Sequence, residues 1–176
     1  MRLVYSTRLE EARPGRGEDK IATVRLSDRT VFIVADGAGG VPGGADAAES
    51  ICKAVADRCS HGQVADWPGC LARIDREMSS SGACGLAAAV VIEIADDGRI
   101  VGASVGDCEA WMFSGDGASR SLTARQARKP LLGDGTAQPV GFEARLGRGT
   151  LMMATDGLWK YMKPARIAKA AAIRPL

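Results

Sequence analysis

Apolar positions along this chain follow two rhythms, one of strands and one of helices. Residues 30–35 (TVFIVA) form a short β-branched run that stops abruptly at Asp36-Gly37, which predicts a buried strand. A shorter strand is predicted just before it, over residues 21–26. A glycine-rich loop then runs from Gly37 to Gly44, and Pro42 within it forbids a helix until it has passed. Residues 45–59 place Ala48, Ile51, Ala54 and Val55 along one face at helical spacing. Residues 69–78 repeat that rhythm with Leu71, Ile74 and Met78 in register.

From residue 86 onward strands dominate. Residues 86–95 predict a strand, Asp96-Asp97-Gly98 a hairpin turn, and residues 99–105 the returning strand. Residues 109–113, a turn at 114–117 and residues 119–123 extend this meander. Residues 145–150 lead into a strand over 151–155, which again stops at an Asp-Gly pair, Asp156-Gly157. A last helix is predicted from Pro164 to residue 172, proline being favoured at the first helical position. Helices and antiparallel strands are segregated along the chain, so the class is α+β, without internal repeats.

Composition narrows the function classes. The chain has 176 residues, with 23 Lys and Arg against 21 Asp and Glu for a net charge of +2. That length suits a single domain, 1–176, able to bury a core without disulfide staples. The near-neutral balance argues against a dedicated nucleic-acid or anionic-membrane binder. The five cysteines form no C-x-x-C pair and His61 is the lone histidine, so no zinc ligand set exists. Scattered, odd-numbered cysteines fit a reducing compartment, and the expected location is the cytoplasm. Residues 86–94, the longest apolar run, are broken by Glu93 and fall short of the ~18 residues of a membrane span.

Three predicted strands end in an aspartate: Asp36, Asp107 and Asp156. Glu18-Asp19 precedes a fourth. Carboxylates at strand ends leave the core on a fixed backbone and can converge in one cleft. Clustered hard oxygens suit Mg²⁺ or Mn²⁺, and two such ions can activate a water for in-line attack on phosphorus. Taken singly, each strand-end aspartate reads as ordinary turn chemistry, as at Asp97-Gly98 and Asp116-Gly117.

Longer strings change that weighting. Gly17-Glu18-Asp19, residues 34–40 (VADGAGG), 84–94 (CGLAAAVVIEI), 104–111 (SVGDCEAW) and 154–159 (ATDGLW) occur in that order. In them the chain resembles the metal-dependent protein phosphatases of the protein phosphatase 2C family, matching its N-E-D, V-A-D-G-M-G-G, G-T-T-A-V-V, V-G-D-S-R-A-Y and S/T-D-G-L-W segments. The resemblance implies a four-layer αββα sandwich of two antiparallel sheets flanked by helices. It implies hydrolysis of phosphoserine and phosphothreonine in a phosphorylated protein substrate, by direct attack of a metal-bound water. Asp36 matches the aspartate that bridges two Mn²⁺ or Mg²⁺ ions, Gly37 a carbonyl ligand, and Asp156 a ligand of the second ion. Glu18 and Asp19 match residues that hold metal-bound waters, and Asp107 a carboxylate of a third, looser ion. The family's phosphate-holding arginine aligns with Pro14, flanked here by Arg13 and Arg16, either of which could supply the fork. The family's final strand carries a further metal-binding aspartate, whereas no Asp or Glu follows Asp156 here, so a C-terminally shortened member is expected.

Other readings of the same residues are weaker. Two C-x₅-R matches, Cys52…Arg58 and Cys70…Arg76, enclose helix-forming residues without the glycine-lined loop that a cysteine phosphatase needs. A dinucleotide-binding G-x-G-x-x-G would place its third glycine at Pro42. His61 reads as an exposed or helix-capping residue, Cys108 as a small buried one, and Trp111, Phe113 and Trp159 as core. Arg125, Arg128 and Lys129 read as a solvated face or as a dock for phosphorylated substrate. A phosphatase-like domain without turnover, acting as a regulatory or phosphoprotein-binding module, is the alternative from another class.

Overall fold

The computed structural model describes residues 3–10, 17–40, 42–62, 66–82, 85–114 and 118–171. Strands β1 (Asp19–Arg25) and β2 (Arg29–Gly37) precede two helices, α1 (Gly44–Ser60) and α2 (Trp67–Ser80). Strands β3 (Ala87–Ala95), β4 (Arg99–Val105), β5 (Glu109–Ser114), β6 (Ser119–Ser121), β7 (Val140–Arg145) and β8 (Gly149–Ala154) follow. Short helices α3 (Asp156–Trp159) and α4 (Pro164–Ala171) end the described chain. Among the described residues the strands form two antiparallel sheets, a five-stranded one in the order β1-β2-β3-β4-β7 and a three-stranded one in the order β6-β5-β8.

Side-chain alternation assigns each face of the large sheet to its own layer. Val31, Ile33 and Ala35 of β2, with Ala87, Ala89 and Val91 of β3, meet the apolar stripes of α1 and α2. The alternate residues Val34, Ala88, Val90, Ile92 and Ile94 meet the small sheet through Ala110, Met112, Leu151 and Met153. The α1 stripe is Ala47, Ala48, Ile51, Cys52, Val55 and Cys59, all buried at helical spacing. On the far side of the small sheet Trp159 of α3 packs against Trp111 of β5, with ring centroids 5.9 Å apart. The layers are thus helix, sheet, sheet, helix, an α+β sandwich of two antiparallel sheets. No described helix is long and apolar enough to cross a membrane.

Several elements depart from their predicted bounds for local reasons. Helix α2 starts two residues early because Asp66 caps it, its Oδ1 accepting the Gly69 N–H at 2.5 Å, with Pro68 in the first turn. Strand β7 was not predicted; it pairs with β4, and its short apolar alternation follows a long loop bearing Pro130 and Pro139. The meander is broken after β4: Gly106, at φ +83°, turns the chain out of the large sheet and into the small one. A side chain there would meet Ala88 Cβ at 2.5 Å, so the turn requires glycine. The two C-x₅-R strings lie within α1 and α2, away from any loop that could cradle a phosphate. His61 caps α1, its Nδ1 donating to the Asp57 carbonyl oxygen at 2.6 Å. Cys52, Cys59, Cys70 and Cys108 are free thiols in the interior, while Cys84 lies outside the described residues.

The long β6–β7 connection is held by a residue the sequence pattern did not single out. Asp75 of α2 is buried and accepts backbone N–H bonds from Gly133 at 2.8 Å, Gly135 at 2.9 Å and Ala137 at 2.9 Å. Leu132 adds a two-way backbone bridge to Ala87 on β3. Asp75→Ala strands three donors at once and is expected to lower stability by about 2–3 kcal/mol. Asp75→Asn, which keeps an acceptor, should lose less; equal losses by chemical denaturation would contradict this.

Candidate active site

Four carboxylates from four separate segments come together where the two sheets meet. The antiparallel register of β1 and β2 sets Asp19 directly opposite Asp36. On its other side Asp36 faces Ala88, whose small side chain leaves space beside the carboxylate. Asp107 enters just after the Gly106 turn that carries the chain between sheets, and Asp156 opens α3 directly after β8. Asp36 is thus the penultimate residue of β2, still within the ladder, whereas Asp107 and Asp156 stand two residues beyond the ends of β4 and β8.

The backbone beneath this cluster is tightly packed. A side chain at Gly37 would lie 2.4 Å from the backbone of Gly44 at the start of α1, so the end of β2 and the first turn of the helix touch without intervening atoms. The Gly37 N–H also donates to the Glu18 carbonyl oxygen at 3.2 Å. The Glu18 carboxylate does not join the four aspartates. It lies over Gly39 and Gly44, 3.2 Å and 3.0 Å from where side chains at those positions would begin. Arg13 and Arg16, the two candidates for holding substrate phosphate, lie outside the described residues.

The four aspartates separate into two pairs. Asp19 and Asp36 share a hydrogen bond, and the Thr155 hydroxyl donates to Asp19 Oδ2 at 2.9 Å, tying β1 to the segment after β8. Asp107 and Asp156 line a cavity of about 270 Å³ together with Glu109, Gln126, Arg128 and Lys160. In that cavity Arg128 Nη2 donates to Asp107 Oδ2 at 2.6 Å and Lys160 Nζ pairs with Asp156 Oδ2. Beside it Trp111 Nε1 donates to Glu109 Oε2 at 2.5 Å. Trp111 and Trp159 are half-buried and Phe113 fully so, as their reading as packing residues anticipated.

In chemistry this donor set fits a hard divalent cation, being all oxygen with negative charge in excess. Among the described residues, however, no group of three His, Cys, Asp or Glu side chains is arranged to hold one ion. Asp107 and Asp156 are turned toward Arg128 and Lys160, and Asp19 toward Thr155. Thr155 and Lys160 escaped the sequence reading. Lys160 stands four residues after Asp156, a helical ion-pair spacing that becomes legible only once α3 is recognised as a helix.

Electrostatic crowding is concentrated on Asp36. Burial raises its carboxyl pKa first, then the charges of Asp19 and Asp156, the hydrogen bond with Asp19 and the charge of Asp107, together to about 7 from the usual 3.8. Cys108, at the centre of this negative field, is buried and its thiol is pushed well up, so it stays protonated and inert. A carboxyl raised on folding keeps a proton that the unfolded chain has lost, so stability falls as pH rises from about 4 to about 7. Without metal, the protein should therefore lose thermal stability across that window, and Asp36→Asn, which cannot ionise, should lose less. Parallel melting curves for the two proteins in EDTA from pH 4 to pH 8 would refute this.

Comparison with known proteins adds the fold. No family model matches the sequence, and no curated protein matches it. Among solved structures the chain is similar to the serine/threonine phosphatase Stp1 from Staphylococcus aureus, with 15% identity and a TM-score of 0.81 over 100% of this chain and 87% of that one. It is similar to RsbX in complex with magnesium, with 18% identity and a TM-score of 0.74 over 93% and 76% of the two chains. A bacterial serine phosphatase aligns at 16% identity and a TM-score of 0.77, over 92% and 81%. The sandwich described above is the fold of these three proteins.

Proposed function

We propose that this chain is a metal-dependent protein serine/threonine phosphatase acting on phosphoserine and phosphothreonine in proteins. One observation carries the reading: Asp19, Asp107 and Asp156, from three distant segments, all lie close enough to raise the carboxyl of Asp36. A fold that gathers four carboxylates on rigid strand ends holds them at an electrostatic cost, and such sites are where function concentrates. The likeness of the fold to bacterial serine phosphatases supports this substrate class.

In this reading Asp36 and Asp156 are the principal ligands of Mn²⁺ or Mg²⁺, with the Gly37 carbonyl beside them. Asp19 and Glu18 orient water, and Asp107 serves a third, looser ion. Ions held there would supply positive charge toward the phosphoryl oxygens and would acidify water for direct attack on phosphorus, without a phospho-enzyme. The chain's own task is to keep the donors fixed. The β1–β2 register holds Asp19 and Asp36 side by side, and the contact of Gly37 with Gly44 locks the loop that follows. Arg13 or Arg16 provides a planar fork for the substrate phosphate.

The second reading is a domain of the same fold that binds a phosphorylated partner without turnover. It is favoured by the present arrangement, in which no three described ligands stand ready for one ion. Hydrolysis of p-nitrophenyl phosphate separates the two. Turnover is expected to require Mn²⁺ and to fall about 100-fold or more in Asp36→Asn and Asp156→Asn. Full metal-dependent activity in Asp156→Asn would overturn the ligand assignment, and absence of turnover in a folded chain selects the binding module. Replacing Arg13 or Arg16 by alanine should raise KM more than it lowers kcat, for whichever residue holds the phosphate.

A further inference from the structure

The cavity beside the carboxylate cluster contains two cations that the proposed reaction does not use. Arg128 comes from the long β6–β7 connection and Lys160 from the turn after α3, yet each reaches a carboxylate in the same cavity. The pairing is asymmetric in exposure. The Asp107 and Asp156 side chains are 26% and 25% exposed, whereas those of Arg128 and Lys160 are 71% and 52% exposed. The acceptors are therefore fixed in the site, while the donors reach in from solvent on flexible stems and can swing out without any change of fold. Each cation also lies within electrostatic reach of the other's carboxylate, so the four groups form one network.

The oxygens engaged are those that a metal ion would need. Arg128 and Lys160 each occupy an Oδ2 atom. A lone pair given to a guanidinium or ammonium hydrogen is not free for a divalent cation. Asp19 and Asp36, by contrast, are engaged by the Thr155 hydroxyl and by each other. Among the described residues, Arg128 and Lys160 thus supply positive charge on the cavity side of the cluster.

We propose that Arg128 and Lys160 are displaceable internal counter-ions, which neutralise Asp107 and Asp156 in the metal-free chain and set metal affinity by competing for those carboxylates. The proposal rests on the metallophosphatase reading for the identity of the ligands. It makes the two residues positioning residues for the metal site, acting through the aspartates and not on substrate. Exposed ion pairs are individually weak, so the competition is modest and salt-dependent.

Titration calorimetry with Mn²⁺, on the whole chain, tests it. Lys160→Gln and Arg128→Gln are each expected to bind Mn²⁺ about 3- to 10-fold more tightly than wild type at low salt, the gap shrinking near 1 M salt. Lys160→Arg, which keeps the charge, should restore wild-type affinity, a rescue that a merely structural role for the lysine would not predict. In EDTA both glutamine variants should melt below wild type. Unchanged or weaker Mn²⁺ binding in both variants overturns the proposal, even if wild-type turnover upholds the phosphatase reading. Binding that appears only in the variants, with wild type inactive, upholds the proposal and removes the enzyme reading. If neither wild type nor the variants bind Mn²⁺, the proposal falls.

Discussion

Strand β3 has no solvent-facing side, and the remaining layers are organised by how its two faces are covered. Ala87, Ala89 and Val91 face α1 and α2, while Ala88, Val90, Ile92 and Ile94 face the small sheet. A strand covered on both sides must be apolar at nearly every position, which is why this is the longest apolar run in the chain. The alanines matter as much as the larger residues. They let the helix layer approach closely at the end of the strand where the glycine-rich loop enters α1, and they leave space beside Asp36.

That covering also places the carboxylates. Strands buried on both faces can carry charge only where they leave the sandwich, so acidic residues collect at strand ends, and antiparallel pairing brings several ends to the same edge. Asp19 and Asp36 become opposite neighbours by register, an arrangement that like charges oppose. The molecule accommodates it by three separate means: a shared hydrogen bond within the pair, the Thr155 hydroxyl on Asp19, and Arg128 and Lys160 on the other two carboxylates. Arg128 and Lys160 thereby offset two of the four carboxylate charges.

Much of the large sheet was legible in the sequence because its signals are local. Strands β2, β3 and β4 and helix α1 are continuous runs with one period each, bounded by Asp-Gly turns or by the Pro42-bearing loop. Asp36, Asp107 and Asp156 were legible as strand-end residues, and their neighbouring strings carried the resemblance to metal-dependent phosphatases. Strand β7 was not legible: its pairing to β4 is long-range, and the alternation of Val140, Phe142 and Ala144 spans only six residues. Asp75 left a faint mark, since it lies four residues after Leu71 and so falls in phase with the buried stripe of α2. A carboxylate in that phase needs a partner, but the partners are backbone N–H groups about sixty residues away and carry no signal in residue type.

The sequence by itself determined the strand and helix periods and the placing of Asp36, Asp107 and Asp156 at or just beyond strand ends, beside turns. These depend on interactions within a few residues, so they are written in local order. Only the tertiary structure decided which carboxylates become neighbours, which keep a proton, and which meet a cation. Those outcomes depend on distances between segments separated by up to 136 residues, as in the Thr155–Asp19 bond, and on burial that exists only once both sheets have closed.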